Sequence, residues 1–204
     1  MSDIYGLILA GGLARRMGGV DKAFAMLCGR PLIAHAIERL RPQTAGLLIS
    51  ANGDAARFAG FGAPVVADDI AGFAGPLAGV LAGLDWLARE RPQATHLLSM
   101  PADTPFLPRD LVARLDAARR NEGARLACAA SGGRQHPAAA LWPVDLRRDL
   151  RRALVDEDLR KIGMFLARYP LARVEWPATP RDPFFNVNAP DDLAGAETLA
   201  LIGD

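Results

Sequence analysis

The chain has 204 residues, of which 50% are hydrophobic and 23% are charged, and this composition is ordinary for one globular domain. Its formal net charge of +1 argues against broad electrostatic binding to nucleic acid or to an anionic membrane, so any basic site must be local. No apolar run approaches the roughly 18 residues that span a bilayer, and the N-terminus lacks a signal-peptide pattern. We therefore expect a cytoplasmic protein without nucleic-acid or membrane partners.

The two cysteines, Cys28 and Cys128, have no metal-ligand spacing, and we expect reduced thiols in the core.

Short apolar runs alternate with segments of helical period along the whole chain. Strands are predicted at residues 4–9, 47–49, 64–66, 95–100, 125–130, 138–142, 171–176 and 184–187. Helices are predicted after Pro31, after Pro76, from Pro108, over most of 145–168 and after Pro190. This alternation predicts one α/β domain over residues 1–204, with a mostly parallel sheet and helices on both faces. Because ligands bind beyond the carboxyl ends of such strands, the loops after the first four strands should converge on one cleft.

The loop after the first strand has the composition of a polyanion-binding segment. Residues 9–22 read LAGGLARRMGGVDK, with four glycines, the adjacent Arg15 and Arg16, and Lys22, one of only two lysines in the chain. Glycines let backbone N–H groups approach phosphate oxygens closely, and the three cations can neutralise their charge. The spacing is neither that of a Walker A loop nor that of the dinucleotide fingerprint. The alternative is a glycine-rich turn with solvated arginines.

The motif PADTP follows the fourth predicted strand and places Asp103 between two prolines. A carboxylate at the end of a buried strand is a suitable ligand for Mg²⁺, which prefers hard oxygen ligands and nucleotide phosphates. The alternative is that Asp103 caps a turn or the next helix.

The segment FFNVNAPDD places Asn186 and Asn188 on one side of a short predicted strand. The carboxamide oxygen of Asn188 can complete a Mg²⁺ shell, or the residue can cap the helix that begins at Pro190.

The pair Asp68 and Asp69 precedes GPLAG. A carboxylate at this position can accept hydrogen bonds from the two adjacent N–H donors of guanine, and cytosine has no such pair of donors. The alternative is that the two aspartates form a solvated acidic turn.

The three histidines give no sign of catalysis. We expect His35 and His96 to be structural and assign His136 no role in proton transfer. Neither a Ser–His–Asp nor a Cys–His arrangement can be assembled from the sequence.

LAGG, RRMGG, DK, GPLAG, PADTP and FNVNAPDDL occur in this order over residues 4–194, and the chain thereby resembles the molybdenum cofactor guanylyltransferase family. These enzymes are nucleotidyltransferases, and the resemblance implies a single-domain, Rossmann-like three-layer fold. It also implies transfer of GMP from GTP to the terminal phosphate of Mo-molybdopterin, with Mg²⁺ as cofactor. The products are molybdopterin guanine dinucleotide and pyrophosphate.

The resemblance also implies which residues form the site. The catalytic residues would be Lys22, Arg16 and Asp103, and the metal ligands Asp103 and Asn188. GTP would be bound by Leu9, Ala10, Gly11, Gly12, Lys22, Ser50, Asn52, Asp69, Gly79 and Asp103. Ser50 stands where the family often has Asn, and Ala189 where it often has Thr.

The resemblance assigns GTP to the N-terminal half, about residues 1–107. The pterin and partners, such as molybdenum-cofactor chaperones and apo-molybdoenzymes, fall to the C-terminal half, about residues 108–204. By elimination, we expect the pterin pocket near residues 132–137 and 176–185.

The expected mechanism is an in-line attack on the α-phosphate of GTP by a phosphate monoester. This nucleophile is largely dianionic at neutral pH, since its second pKa is about 6, and needs no general base. Two alternatives stay open. One is a cytidylyltransferase acting on molybdopterin or on a sugar phosphate, and the other is a non-catalytic adapter that delivers cofactor.

Overall fold

The computed structural model describes residues 3–11, 21–70 and 75–201, and one seven-stranded sheet runs through all three stretches. The nine described strands are β1 (Ile4–Leu9), β2 (Met26–Leu27), β3 (Arg30–Pro31), β4 (Leu47–Ser50), β5 (Val65–Val66), β6 (His96–Pro101), β7 (Leu126–Ser131), β8 (Arg134–Pro143) and β9 (Leu171–Trp176). The sheet order is β5–β4–β1–β6–β8–β7–β9, and β2 pairs with β3 separately. Only β8 runs antiparallel to its neighbours in this sheet, so the prediction of a mostly parallel sheet is confirmed.

Helices cover both faces of the sheet. The described α-helices are α1 (Leu32–Leu40), α2 (Gly75–Glu90), α3 (Leu111–Asn121), α4 (Arg147–Val155), α5 (Ile162–Leu166) and α6 (Pro190–Ala200). Successive side chains of a strand point to opposite faces. Accordingly, Ile8 is buried in the core that contains α1 and α3, and Leu7 is buried in the core that contains α2, α4 and α5. The predicted three-layer α/β fold is therefore confirmed. Among the described residues, no helix is both long and apolar enough to cross a membrane.

The predicted strand at 184–187 is wrong. This segment passes through a turn and then runs without a strand partner. Its backbone instead bonds to the loop after β6, since the N–H of Val187 donates to the carbonyl of Asp103 at 3.0 Å. An extended chain held in this way shows the same side-chain alternation as a strand, which is why the pattern was misleading.

Two further predictions are corrected in part. The segment 145–168 contains two helices, α4 and α5, separated by a break in which Asp158 has a φ of 51°. Cys128 is buried as expected, and burial raises the pKa of its thiol to about 12. Cys28 is exposed, because it lies at a φ of 49° in the tight turn between β2 and β3. Neither cysteine forms a disulfide.

Candidate functional site

The carboxyl ends of β4, β1 and β6 are held side by side. The N–H of Ala10 donates to the carbonyl of Ser50 at 2.9 Å, and the N–H of Ala102 donates to the carbonyl of Leu9 at 3.0 Å. These bonds continue the sheet one residue beyond β1 and β6. Gly11, the next residue, is exposed at this edge. The first and fourth predicted loops therefore leave the sheet next to each other, as the parallel topology requires.

Three of the predicted site residues meet at this edge and form what we call the Lys22 cluster: Lys22, Asp103 and Asn188. The Lys22 Nζ donates to Asn188 Oδ1 at 2.6 Å and lies 3.5 Å from Asp103 Oδ2. The two oxygen-bearing side chains come from different loops, 85 residues apart in the chain (188 − 103). They bracket a single positive charge. The cluster is thus a site that holds a cation between two hard oxygen ligands.

Asp103 carries an unsatisfied acceptor. Its Oδ1 is buried and has no hydrogen-bond partner among the described residues. Burial raises the pKa of the Asp103 carboxyl, and the charge and hydrogen bond of Lys22 oppose that rise. A buried carboxylate oxygen without a partner is costly unless a cation or donor satisfies it. Carboxylate and amide oxygens suit Mg²⁺, so Asp103 and Asn188 fit a divalent cation.

Lys22 is positioned by an arrangement that the sequence did not reveal. It begins a short 3₁₀ helix, Lys22–Phe24, which Asp21 caps by accepting a hydrogen bond from the N–H of Ala23 at 3.1 Å. The Arg57 Nη2 donates to Asp21 Oδ2 at 2.8 Å, and its guanidinium lies 4.8 Å from the centre of the Phe24 ring. Arg57 therefore holds both the cap and the helix. It lies in no recognisable motif, so sequence reasoning had no signal for it.

The two asparagines of the FNVN segment differ in role. The Thr104 hydroxyl donates to Asn186 Oδ1 at 2.7 Å, so the amide oxygen of Asn186 is already used to anchor the segment beside Asp103. Asn188 is exposed and directs its amide oxygen to Lys22. Asp192, in the first turn of α6, fixes the chain that precedes the helix, because its Oδ2 accepts from the N–H groups of Asn188 and Ala189. Ala189 itself offers no side-chain acceptor to the N–H groups of the first turn.

The two adjacent aspartates after β5 face different partners. Asn52 follows β4, and its amide group donates to Asp68 Oδ2 at 2.7 Å while accepting the Asp68 N–H at 3.2 Å. Asp69 is exposed and pairs with Arg151 of α4 at 3.1 Å, and Arg151 also pairs with Asp85 of α2 at 2.8 Å. Asp68 is therefore tied to the carboxyl end of β4, whereas Asp69 shares the positive charge of Arg151 with Asp85.

Gly79 lies at a packing position of α2. It is buried, and a Cβ added there would clash with Ser50 Oγ and lie 3.1 Å from Leu9 Cδ2. The missing side chain lets α2 approach the ends of β4 and β1 closely. Ser50 is itself buried at 6% exposure, so its small hydroxyl is matched to this close approach. Arg15, Arg16 and Gly12 lie outside the described residues.

A family model described as "MobA-like NTP transferase domain" matches residues 6–170. The chain is also 62% identical over 201 residues to a molybdenum cofactor guanylyltransferase from Bradyrhizobium sp. (strain ORS 278), covering 98% of this chain and 95% of the relative. The chain belongs to the molybdenum cofactor guanylyltransferase family. A second member of the family, from Rhodopseudomonas palustris (strain HaA2), is 63% identical over 195 residues, covering 96% of this chain and 91% of the relative.

A solved structure has the same architecture. The molybdopterin-guanine dinucleotide biosynthesis protein A from Archaeoglobus fulgidus superposes with a TM-score of 0.75 at 25% identity, covering 97% of this chain and 98% of the other. The fold and the family resemblance drawn from the sequence are therefore both confirmed.

The structure of this guanylyltransferase family member also brings together a group that the sequence appeared to exclude. Ser131 at the end of β7, His136 in β8 and Asp182 in the loop before α6 meet through the Ser131 hydroxyl, and we call them the Ser131 cluster. Ser131 Oγ lies 2.7 Å from His136 Nε2 and donates to Asp182 Oδ1 at 2.8 Å. The three residues share no sequence motif, because Asp182 lies 51 positions beyond Ser131.

Proposed function

We propose that this protein transfers GMP from GTP to the terminal phosphate of Mo-molybdopterin, giving molybdopterin guanine dinucleotide and pyrophosphate. The observation that carries the proposal is the Lys22 cluster, which holds a positive charge between Asp103 and Asn188 at the carboxyl edge of the sheet. Two relatives that are 62% and 63% identical to this chain are molybdenum cofactor guanylyltransferases, which supports the same reaction.

The chain needs to supply positioning and charge rather than a base. The acceptor phosphate is a competent nucleophile, since its second pKa of about 6 leaves it largely dianionic at neutral pH. Phosphoryl-group transfer of this kind depends on alignment and on neutralising charge in the transition state. Lys22 carries a compact ammonium on a long stem, with its side chain 29% exposed, so it can reach phosphate oxygens from its position at the edge.

Asp103 and Asn188 are the residues that we propose to hold Mg²⁺. When bound there, the ion would neutralise charge on the phosphates of GTP. The Lys22 ammonium contacts an oxygen of each of these two residues. We expect Lys22 to exchange these partners for phosphate oxygens when GTP binds, which leaves the oxygens of Asp103 and Asn188 for the ion.

The guanine-recognising carboxylate is proposed to lie after β5. The family resemblance assigns it to Asp69, but the contacts favour its neighbour Asp68. A carboxylate that already pairs with an arginine, as Asp69 does, has less attraction left for the N–H groups of guanine. Among the described residues, the partner of the Asp68 carboxylate is the neutral amide of Asn52, which ties Asp68 to the end of β4.

Competition binding tests the nucleotide specificity. Purified wild-type protein should bind GTP at least about tenfold more tightly than CTP, since hydrogen bonds to a charged group contribute roughly 1.5–3 kcal/mol. Asp68→Asn should lose that preference, while Asp69→Asn, its matched neighbour, should retain it. The reverse result would restore the assignment to Asp69. Tighter binding of CTP by the wild type would refute guanine recognition altogether.

The proposal also covers where the two substrates bind, which partners the protein has and in which compartment it works. We expect GTP in the N-terminal half and the pterin in the C-terminal half, with molybdenum-cofactor chaperones and apo-molybdoenzymes as partners. The two free cysteines fit a reducing cytoplasm. Release of pyrophosphate from GTP when molybdopterin is added separates the enzyme from a non-catalytic adapter, which would form a stable GTP complex instead.

A further inference from the structure

The carboxylate of Asp21 is an unexpected charge in a loop that we propose to bind phosphates. Asp21 directly precedes Lys22, and the Cα atoms of consecutive residues are about 3.8 Å apart. An unpaired carboxylate at this position would repel the phosphates of GTP and would compete with them for the Lys22 ammonium. The contacts of Asp21 within the protein remove this conflict.

Both carboxylate oxygens of Asp21 have partners. Oδ1 accepts the N–H of Ala23 at 3.1 Å, and Oδ2 accepts a hydrogen bond from Arg57 Nη2 at 2.8 Å. The first bond caps a helix, and the amide oxygen of an asparagine could replace the carboxylate in that role. The second bond joins the carboxylate to a guanidinium, which is always charged at neutral pH. Arg57 therefore neutralises Asp21, and the Lys22 ammonium remains directed to the other members of its cluster.

Arg57 is brought to Asp21 by the segment that follows β4. It belongs to a 3₁₀ helix, Ala55–Phe61, which Asp54 caps by accepting a hydrogen bond from the N–H of Ala56 at 2.9 Å. Because β4 pairs in parallel with β1, this helix and the loop after β1 leave the sheet at the same edge. The topology thus places the arginine beside the loop that carries the carboxylate.

Three phenylalanines pack the two 3₁₀ helices together. The ring centroid of Phe24 lies 5.2 Å from that of Phe58 and 6.2 Å from that of Phe61. Phe58 is 1% exposed, so this contact is part of the core. The Arg57 guanidinium lies over the Phe24 ring at 4.8 Å, a distance at which a cation is attracted to an aromatic face. The orientation of Arg57 is therefore fixed by its aromatic neighbours as well as by the ion pair.

The ion pair lies where it contributes little to stability. The side chains of Arg57 and Asp21 are 42% and 23% exposed, and ion pairs exposed to this degree add little to the free energy of unfolding. Its effect on a polyanionic ligand is larger, because an unpaired carboxylate would act on every phosphate group within reach. The pair is therefore better explained by the ligand than by the fold.

We propose that Arg57 is a positioning residue for Lys22 and that it acts by occupying the Asp21 carboxylate. With this carboxylate neutralised, the Lys22 ammonium is directed to the oxygen ligands of its cluster and, when GTP binds, to the phosphates. The inference rests on the proposed function, since it concerns the same edge of the sheet. It assigns Arg57 no contact with the nucleotide.

Suppression by a second substitution tests the proposal. Arg57→Met keeps an apolar stem beside Phe24 but leaves Asp21 charged and unpaired, so it should raise the Kd for GTP by about tenfold. Asp21→Asn keeps an oxygen for the helix cap, and alone it should not weaken GTP binding. The double variant should bind GTP within about threefold of Asp21→Asn, because no charge is left for Arg57 to neutralise. Arg57→Lys, which retains the charge, should recover most of the wild-type affinity.

Arg41→Met is the matched control. Arg41 donates to the carbonyl of Phe61 at 2.6 Å, on the same 3₁₀ helix as Arg57, and this variant should bind GTP as the wild type does. Isothermal titration calorimetry with GTP and Mg²⁺ measures every Kd. Wild-type affinity in Arg57→Met would overturn the proposal. A loss that persists in the Asp21→Asn background would also overturn it, since Arg57 would then act through packing alone.

The comparison within the Asp21→Asn background covers the case in which Arg57→Met does not fold, since it removes the carboxylate that the single variant leaves unpaired. Transfer of GMP to molybdopterin is a separate readout. A wild type that shows the expected GTP affinities across the variants but transfers no GMP would refute the proposed function and leave the role of Arg57 standing. A wild type that transfers GMP while Arg57→Met keeps wild-type affinity would refute the role of Arg57 alone. A wild type that binds no GTP would refute both.

Discussion

The chemistry of the site depends on how a single ammonium is shared. Lys22 stands between Asp103 and Asn188, and Asp103 still has a buried oxygen without a partner among the described residues. A site with two oxygen ligands and one cation is electrostatically balanced before substrate arrives. If Lys22 turns to phosphate as we propose, the two oxygen ligands lose their positive partner, and a divalent ion would then stabilise them.

Lys22→Met tests this exchange. We expect kcat/KM to fall by about 10² or more, because a charge aimed at the transition state is lost. Binding of Mn²⁺ to the GTP-free variant should become stronger than in the wild type, since no ammonium competes for Asp103 and Asn188. Calorimetry with Mn²⁺ measures this directly, and Asp103→Asn, which removes the ligand, serves as the control. Weaker Mn²⁺ binding by Lys22→Met would contradict the shared-ligand account.

How far single residues could be predicted depended on whether their partners lie in a motif. The position of Asp103 could be predicted, because it follows an apolar run that ends at the sheet edge, whereas Asn188 reaches this edge from a segment whose strand prediction was wrong. Arg57 could not, since it acts through Asp21, 36 residues earlier, in a segment of no distinctive pattern. The Ser131 cluster was missed for the same reason.

Among the elements, the segment between β9 and α6 determines the geometry of the site without being a regular element. It is pinned to the loop after β6 by the bond from Val187 to Asp103 and by the bond from Thr104 to Asn186. These two contacts bring Asn188 to Lys22. Thr104 is 1% exposed, so its hydroxyl bond is protected from water.

Thr104→Val should therefore affect both stability and substrate binding. The variant keeps the shape of the side chain but leaves Asn186 Oδ1 without its donor, which should cost about 1–2 kcal/mol of unfolding free energy. Because Asn188 is positioned by the same segment, the KM for GTP should also rise. Thr104→Ser retains the hydroxyl and should recover most of the binding. Urea unfolding and steady-state kinetics provide the two readouts, and a wild-type KM in Thr104→Val would show that the anchor does not position Asn188.

Helices and strands whose apolar residues recur with one clear period were predicted correctly. A segment whose conformation depends on contacts with distant residues was not. The helices after Pro31 and Pro190 and the strand at 4–9 follow from local pattern and from proline at a helix start. The 184–187 segment has a strand pattern, but its backbone finds partners in a loop. The residues of that segment alone do not show whether it pairs as a strand or bonds to a loop, because this depends on where β6 ends.

For the whole molecule, β8 is the element that unites the two halves of the chain. It pairs with β6 on one side and β7 on the other, so the half proposed to bind GTP and the half proposed to bind the pterin share one sheet. The N-terminal residue of β6 in this central position is His96, which is partly buried. Burial, assisted by the charge of Arg119, lowers the pKa of His96 from its ordinary value of 6.5 to about 4.

The His96 pKa predicts an acid limit to stability. The unfolded chain takes up a proton on this residue below pH 6.5, whereas the folded chain does so only near pH 4. The contribution of His96 is therefore fully present above pH 6.5 and is lost as the pH falls from about 6.5 to 4. His96→Gln should lose less unfolding free energy than the wild type between pH 7 and pH 4.5, as measured by urea denaturation. Identical slopes for the two proteins would contradict the assignment.

The most direct test of the whole account is transfer of label from [α-³²P]GTP to Mo-molybdopterin by the purified protein with Mg²⁺. The account predicts labelled molybdopterin guanine dinucleotide and one pyrophosphate per transfer, with a loss of about 10² or more in Asp103→Asn. Transfer from CTP in preference to GTP, or undiminished transfer by Asp103→Asn, would contradict it.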